Sequence, residues 1–463
     1  VKIIKDETRL AYIHLVKWVI LALLSGLLGI LVVHSFAFVI GTTNKIGKTT
    51  HLPIFILPVM GALLNGIVFY KIEPRARGEG IPSYIKSLKS EGGKFSLRVT
   101  IFKYLAALAT LASYGNGGIV GPVGRVTAGV VSAFAQRVKR IRIARIKKSK
   151  KTHHLLPETT IKLFAKEDIR TAAICGMAAA MGTIFHTPIG GGIFAVEIIQ
   201  KDKMNYRDLF PALLASTSAV FFSKSFNLRS FYTFNVTRDF MNMNMIGWIF
   251  LLSILGGLAG GFYTWIYSTI ARLLKRESGS ILIKVLTGSL IAGLLAWIVN
   301  PELAGTSSGL MSAILSRDTS ILYGNIPHTI PLYIALLVLF LLKALGNTVT
   351  VGSGMSAGFT GPAAIMGMLL GLGLSDFLGV DMNSATHFAF IATGFSSVLA
   401  SSMNIPIAAA VMSVEIFGLH YSLPATMGAV IGFQITRTRT IYEYAVKEIE
   451  EETKGESLLT DSP

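Results

Sequence analysis

Three glycine- and proline-bearing breaks interrupt otherwise apolar sequence: GEGIP from Gly78 to Pro82, GIVGP from Gly118 to Pro122, and GFTGP from Gly358 to Pro362. In a helical setting such a break starts a new helix, and a helix start offers free N–H groups and the positive end of the helix dipole. Several starts converging on one point would hold a small anion without a full positive charge. The segment from Gly432 onward reads as a weaker fourth candidate. Glu79 is the ionisable residue inside the three breaks, so it is the group there that could titrate.

A second pair of motifs follows the glycine-rich ones. TPIGGGIFAVE ends in Glu197 and NIPIAAAVMSVE ends in Glu415. Each places a proline before small residues and closes on a glutamate. A glycine-rich break followed by such a motif, occurring twice, predicts two homologous halves, the pattern of many transporters and channels. Glu197 reads as structural, partnering a helix dipole or a cation, because a carboxylate within the membrane needs a partner. Lys343 should face the protein interior or an interface for the same reason, and could raise the positive potential along an anion path. His186 reads first as a buried hydrogen-bonding residue.

The elements that position these residues are apolar helices. Hydrophobic residues make up 52% of the 463 residues and charged ones 15%, and mean hydropathy is +0.59. Trp18 to Asn44 and Phe240 to Ala271 contain no Lys, Arg, Asp or Glu, and each exceeds the roughly 20 residues that span a bilayer as a helix. The composition predicts an all-α, polytopic membrane protein. The 46 glycines suit close helix approach in lipid.

Net charge is +18, yet its distribution argues against nucleic acid. Nine Lys or Arg cluster in RVKRIRIARIKKSKK, residues 137–151, between apolar segments. Such a cluster marks a cytoplasmic face and suits anionic lipid headgroups, and its Ile/Arg alternation suggests an interfacial element. The single cysteine, Cys175, excludes an internal disulfide and a cysteine cluster. His14, His34 and His387 lack metal-ligand spacing, so no metal or cofactor is expected. Without a nucleophile–base arrangement, an enzyme is not expected either. Residues 1–445 read as one membrane domain with approximate halves 10–225 and 240–445, and 446–463 as an acidic, disordered tail.

The order and spacing of the motifs resemble the CLC family of chloride channels and proton-coupled chloride antiporters, over roughly residues 10–445. The family's GSGIP is similar to Gly78, Glu79, Gly80, Ile81 and Pro82. Its glycine–basic–glutamate–glycine–proline signature resembles Gly118, Ile119, Val120, Gly121 and Pro122. Its GIFAP is similar to Gly358, Phe359, Thr360, Gly361 and Pro362, preceded by a matching Ser353 and Gly354. Tyr442, with Tyr444 as the other register, resembles the tyrosine that contacts the central anion.

The resemblance implies two inverted halves with broken helices, a homodimer with one pore per subunit, and a prokaryotic cell-membrane location. It also implies an anion site built from Glu79, Gly80, Ile81, Gly118, Val120, Gly121, Phe359, Thr360 and Tyr442, with the main-chain amides of Phe359 and Thr360 rather than their side chains facing chloride or another small anion. Two departures stand out. The family's gating glutamate is Val120 here, and its inner proton-passing glutamate is Ile198. Both are apolar, so passive anion conduction is the expectation. Glu79, in place of the family's serine, leaves three readings open: a protonated carboxyl donating to the anion, a replacement gate that titrates, or a structural group turned toward Arg75, Arg77 or another cation. The second reading keeps a proton-coupled antiporter as the alternative.

Overall fold

The computed structural model describes residues 2–49, 53–151, 166–199, 204–228, 241–276, 279–438 and 440–447. Among these it is helical throughout, without strands. The principal helices are α1 (Lys2–Thr49), α2 (Ile56–Leu64), α3 (Ile81–Ser90), α4 (Leu97–Leu111), α5 (Val120–Lys151), α6 (Lys166–Phe185), α7 (Gly190–Glu197) and α8 (Tyr206–Ser225). The second half supplies α9 (Ile246–Arg276), α10 (Ile281–Ile298), α11 (Ser308–Ser316), α12 (Leu332–Gly352), α13 (Thr360–Phe377), α14 (Ala385–Met403), α15 (Pro406–Phe417) and α16 (Ser422–Thr436), and residues 441–447 form α17. Among the described residues five helices are long and apolar enough to cross a membrane, including residues 15–45 of α1 and the whole of α10, α12 and α13. Of the tail expected to be disordered, 446–463, residues 446 and 447 end α17 and the rest lies outside the described residues.

The breaks fall where the sequence places glycine, proline and left-handed residues. His186 and Asn404 both take a positive φ, 57° and 61°, and end α6 and α14. Pro188 and Pro406 then sit at or next to the start of the following helix, where a missing N–H costs nothing. One expectation changes here. Gly432 lies inside the unbroken α16 and packs on Ser397, so it is a contact point between helices and not a fourth break. The basic run at 137–151 continues α5 as one helix.

Two inverted halves meet through paired contacts. Gly118 and Gly358 exchange both main-chain hydrogen bonds, at 2.8 and 2.7 Å, in a small antiparallel bridge. The Glu197 carboxylate accepts from Ile407 N and Ala408 N at the start of α15, at 3.0 and 2.7 Å. The Glu415 carboxylate accepts from Ile189 N and Gly190 N at the start of α7, both at 2.8 Å. Gly78 N donates to Gly354 O, and its counterpart Gly305 N donates to Tyr114 O. Lys103 of α4 and Lys343 of α12 are counterparts as well. Each is fully enclosed and donates to the carbonyls of the turn preceding a short helix, Ala76 to Gly78 and Leu303 respectively.

Small residues and hydroxyls hold the second half together. Ser397 and Ser401 of α14 donate to Ser253 O and Gly256 O of α9, and Thr436 of α16 donates to Ser401 O. In lipid this close packing replaces the hydrophobic drive available in water.

Candidate functional site

The three breaks bring their helix starts to one place. Gly80 precedes α3, Val120 opens α5 and Phe359 precedes α13. A side-chain carbon at Gly80 would lie 2.0 Å from Gly121 O, so the first two starts approach to backbone contact. The Gly118–Gly358 bridge fixes the third against them.

Glu79 fills the point of convergence. Its Oε2 accepts a short hydrogen bond from Ile81 N, and the Phe359 amide lies beside the same carboxylate. Oε1 stands over Gly121, where a side-chain carbon would be 1.7 Å away. That oxygen is buried and has no hydrogen-bond partner among the described residues. Buried polar oxygens are nearly always bonded, so this one has room for a further donor. Glu79 makes no ion pair among the described residues. Arg75 bonds Glu73 instead, at 2.8 Å, and the cation facing Glu79 is Lys103.

Tyr442 closes the site from another side. It is buried, and its Oη lies 3.1 Å from Thr360 Oγ1, with its ring 6.1 Å from that of Phe359. Tyr444 is 38% exposed, so the register expected first is the one facing the site. The Thr360 side chain is thereby held by Tyr442. Val120 and Ile119 are fully buried, and the gate position of the resemblance carries no polar atom.

Residues that sequence reasoning passed over complete the surroundings. Lys103, in α4, is the ammonium electrostatically nearest Glu79. It was as visible as Lys343, since both interrupt apolar sequence at corresponding positions before a glycine break. Asn347 Nδ2 donates to Asn116 O and to Gly358 O, both at 3.2 Å, and its Oδ1 accepts from Tyr263 Oη. It thus ties the two breaks together from behind. Lys343 bonds Asn116 Oδ1 at 2.6 Å, Leu303 O at 3.2 Å and Ser307 Oγ, so it faces the interior as expected.

Two cavities of about 300 Å³ each reach this site. One is lined by Arg77, Gly78, Glu79, Tyr267 and Lys284. The other runs past Lys89, Glu197, Ile198, Asn404 and Lys447 to Tyr442.

A helical membrane protein of two inverted halves, with broken-helix starts aimed at one buried point, is thereby defined. The family model described as voltage gated chloride channel matches residues 61–437, and the chain belongs to this CLC family. It is 29% identical over 282 residues to an uncharacterised protein of Methanocaldococcus jannaschii, covering 58% of this chain and 64% of the relative. It is 22% identical over 283 residues to a chloride/fluoride channel protein of Pseudomonas syringae pv. tomato, covering 60% and 58%. The chain thus spans less than two thirds of these relatives. Among solved structures, a CLC-type fluoride/proton antiporter superposes with a TM-score of 0.74 at 20% identity, covering 94% of this chain and 98% of that one. A slow cyanobacterial Cl−/H+ antiporter gives 0.71 at 15%, with the same coverage. At such identity the likeness shows the fold.

Proposed function

We propose that the protein carries a small anion, chloride first, passively across a cell membrane as a homodimer, and that Glu79 is its gate. The anion would sit against the starts of α3, α5 and α13, contacted by Gly80, Ile81, Gly118, Gly121, Phe359, Thr360 and Tyr442. The observation that carries this reading is the Glu79 carboxylate seated at the convergence, with one oxygen unbonded. It takes the place an anion would take, accepting from the same amides. Two negative charges about 4 Å apart repel by about 4 kcal/mol at an effective dielectric of 20. Anion and ionised Glu79 therefore exclude each other, and passage requires the carboxyl to move or to take up a proton. Val120 then plays no gating part.

A second reading, proton-coupled exchange, is favoured by the same carboxyl, because a gate that takes up a proton can also carry it. Anion efflux and internal pH recorded together from chloride-loaded liposomes, with and without valinomycin, separate the two. Efflux that needs valinomycin, with no proton movement driven uphill by the chloride gradient, is expected. Proton movement driven uphill by the chloride gradient would establish exchange instead.

A further inference from the structure

A third cavity of about 300 Å³ is lined by Asn44, Leu57, Leu111, Tyr114, Glu302 and Thr306. Its walls are the repeat counterparts of the first cavity's: Gly305 answers Gly78, Thr306 answers Glu79, and Leu57 answers Lys284. The two lie beyond opposite ends of α10, since Ile281 and Lys284 border one and Pro301 the other. The 18 residues of α10 separate them by roughly 27 Å at 1.5 Å per residue, so they stand toward opposite membrane faces.

Between them lies a row of polar side chains, half-buried at Ser113 and buried beyond it. From the third cavity, Ser113, next to Tyr114, donates to Thr110 O at 3.0 Å, and Thr110 Oγ1 accepts from Asn65 Nδ2 at 3.0 Å. Asn65 also reaches the sulfur of Met355, adjacent to Ser356. Tyr70 packs in the same cluster as Met355 and Ala76, its hydroxyl beside the Ser356 amide, under the Arg77 guanidinium at 5.9 Å. Arg77 and Glu79 border the first cavity. Within this row Asn65 Oδ1, Tyr70 Oη and Ser356 Oγ are all buried and lack a hydrogen-bond partner among the described residues. Three such atoms in one place are what ordered water satisfies. The stretch Asn65–Phe69 is, moreover, a π-helical turn, a form that gathers at functional sites.

We propose that Asn65, Tyr70 and Ser356 hold a file of water that carries protons between the third cavity and the Glu79 cavity, bypassing Val120. This rests on the reading of Glu79 as a group that takes up a proton. The charged and titratable groups around Glu79 are Arg77 on its own segment, Lys103 of α4, Arg125 of α5, Tyr263 of α9 and Tyr442 of α17. None of them extends to the third cavity, whereas the Asn65 row does.

Two measurements on the full chain in liposomes test it. Radiolytic hydroxyl labelling modifies residues that touch bound water. Tyr70 and Met355 should label at least tenfold faster than the equally buried Tyr84 and Tyr421. In parallel, proton flux driven by a valinomycin-clamped potassium potential should fall at least fivefold in Tyr70→Phe/Ser356→Ala, with anion flux within twofold of the parent. Slow labelling of Tyr70 and Met355 would overturn the file. Fast labelling with unchanged or absent proton flux would overturn its role as a route. If labelling is fast and the variant loses proton flux, yet anion flux ignores pH, the file stands and it is the Glu79 gate that fails.

Discussion

Glu197 and Glu415 each cap the other's partner helix: the glutamate closing α7 accepts from the start of α15, and the glutamate closing α15 accepts from the start of α7. The exchange locks the two inverted halves to one another. A carboxylate at a helix start is worth up to about 2 kcal/mol when partly buried. Glu197→Gln and Glu415→Gln should therefore lower stability by similar amounts, roughly 1–2 kcal/mol each, read as a Tm shift in detergent. Anion selectivity should change little, because neither carboxylate contacts the helix starts at the convergence point; Glu197 borders only the cavity that leads there.

Gly121 is the floor under Glu79 Oε1. Gly121→Ala should cost about 1–3 kcal/mol by overpacking. Removing the carboxyl should relieve that cost. A double-mutant cycle of Gly121→Ala with Glu79→Ala, read by thermal unfolding, should show a coupling of at least about 1 kcal/mol, whereas additive effects would place the carboxyl elsewhere.

Lys103 holds the turn that carries Glu79, through the carbonyls of Ala76, Arg77 and Gly78. Lys103→Met leaves those acceptors unpaired and removes the cation nearest Glu79. The expected outcome is a loss of about 3 kcal/mol and a more easily protonated gate. The half-activation of anion flux would then shift to higher pH.

Tyr442→Phe removes the contact with Thr360 Oγ1 at 3.1 Å. Stability should drop by only about 0.5–1.5 kcal/mol. The ratio of chloride to larger-anion permeability, measured by bi-ionic liposome flux, should change more than the Tm does.

The breaks, the apolar spans and the twofold repeat were legible because glycine, proline and charge-free runs act locally. Tyr442 was legible only through its resemblance to the family's late tyrosine. Gly432 misled because glycine serves close packing in lipid as readily as it serves a break. Asn347 and Tyr263 left no local mark: their value lies in long-range bonds that only the fold creates. Glu79 stood out in sequence, but its three readings differ by where a carboxyl points, and a side-chain torsion is not written in spacing.

The central claim is that ionised Glu79 occupies the anion's place. The direct measurement is chloride flux from liposomes against pH, for the parent and Glu79→Gln. Parental flux should rise as pH falls, since protonation frees the site, and Glu79→Gln should be at least tenfold faster near neutral pH and flat across the range, a difference of about 1.4 kcal/mol or more. A parent already flat with pH, or a Gln variant that keeps the parental pH response, would contradict it.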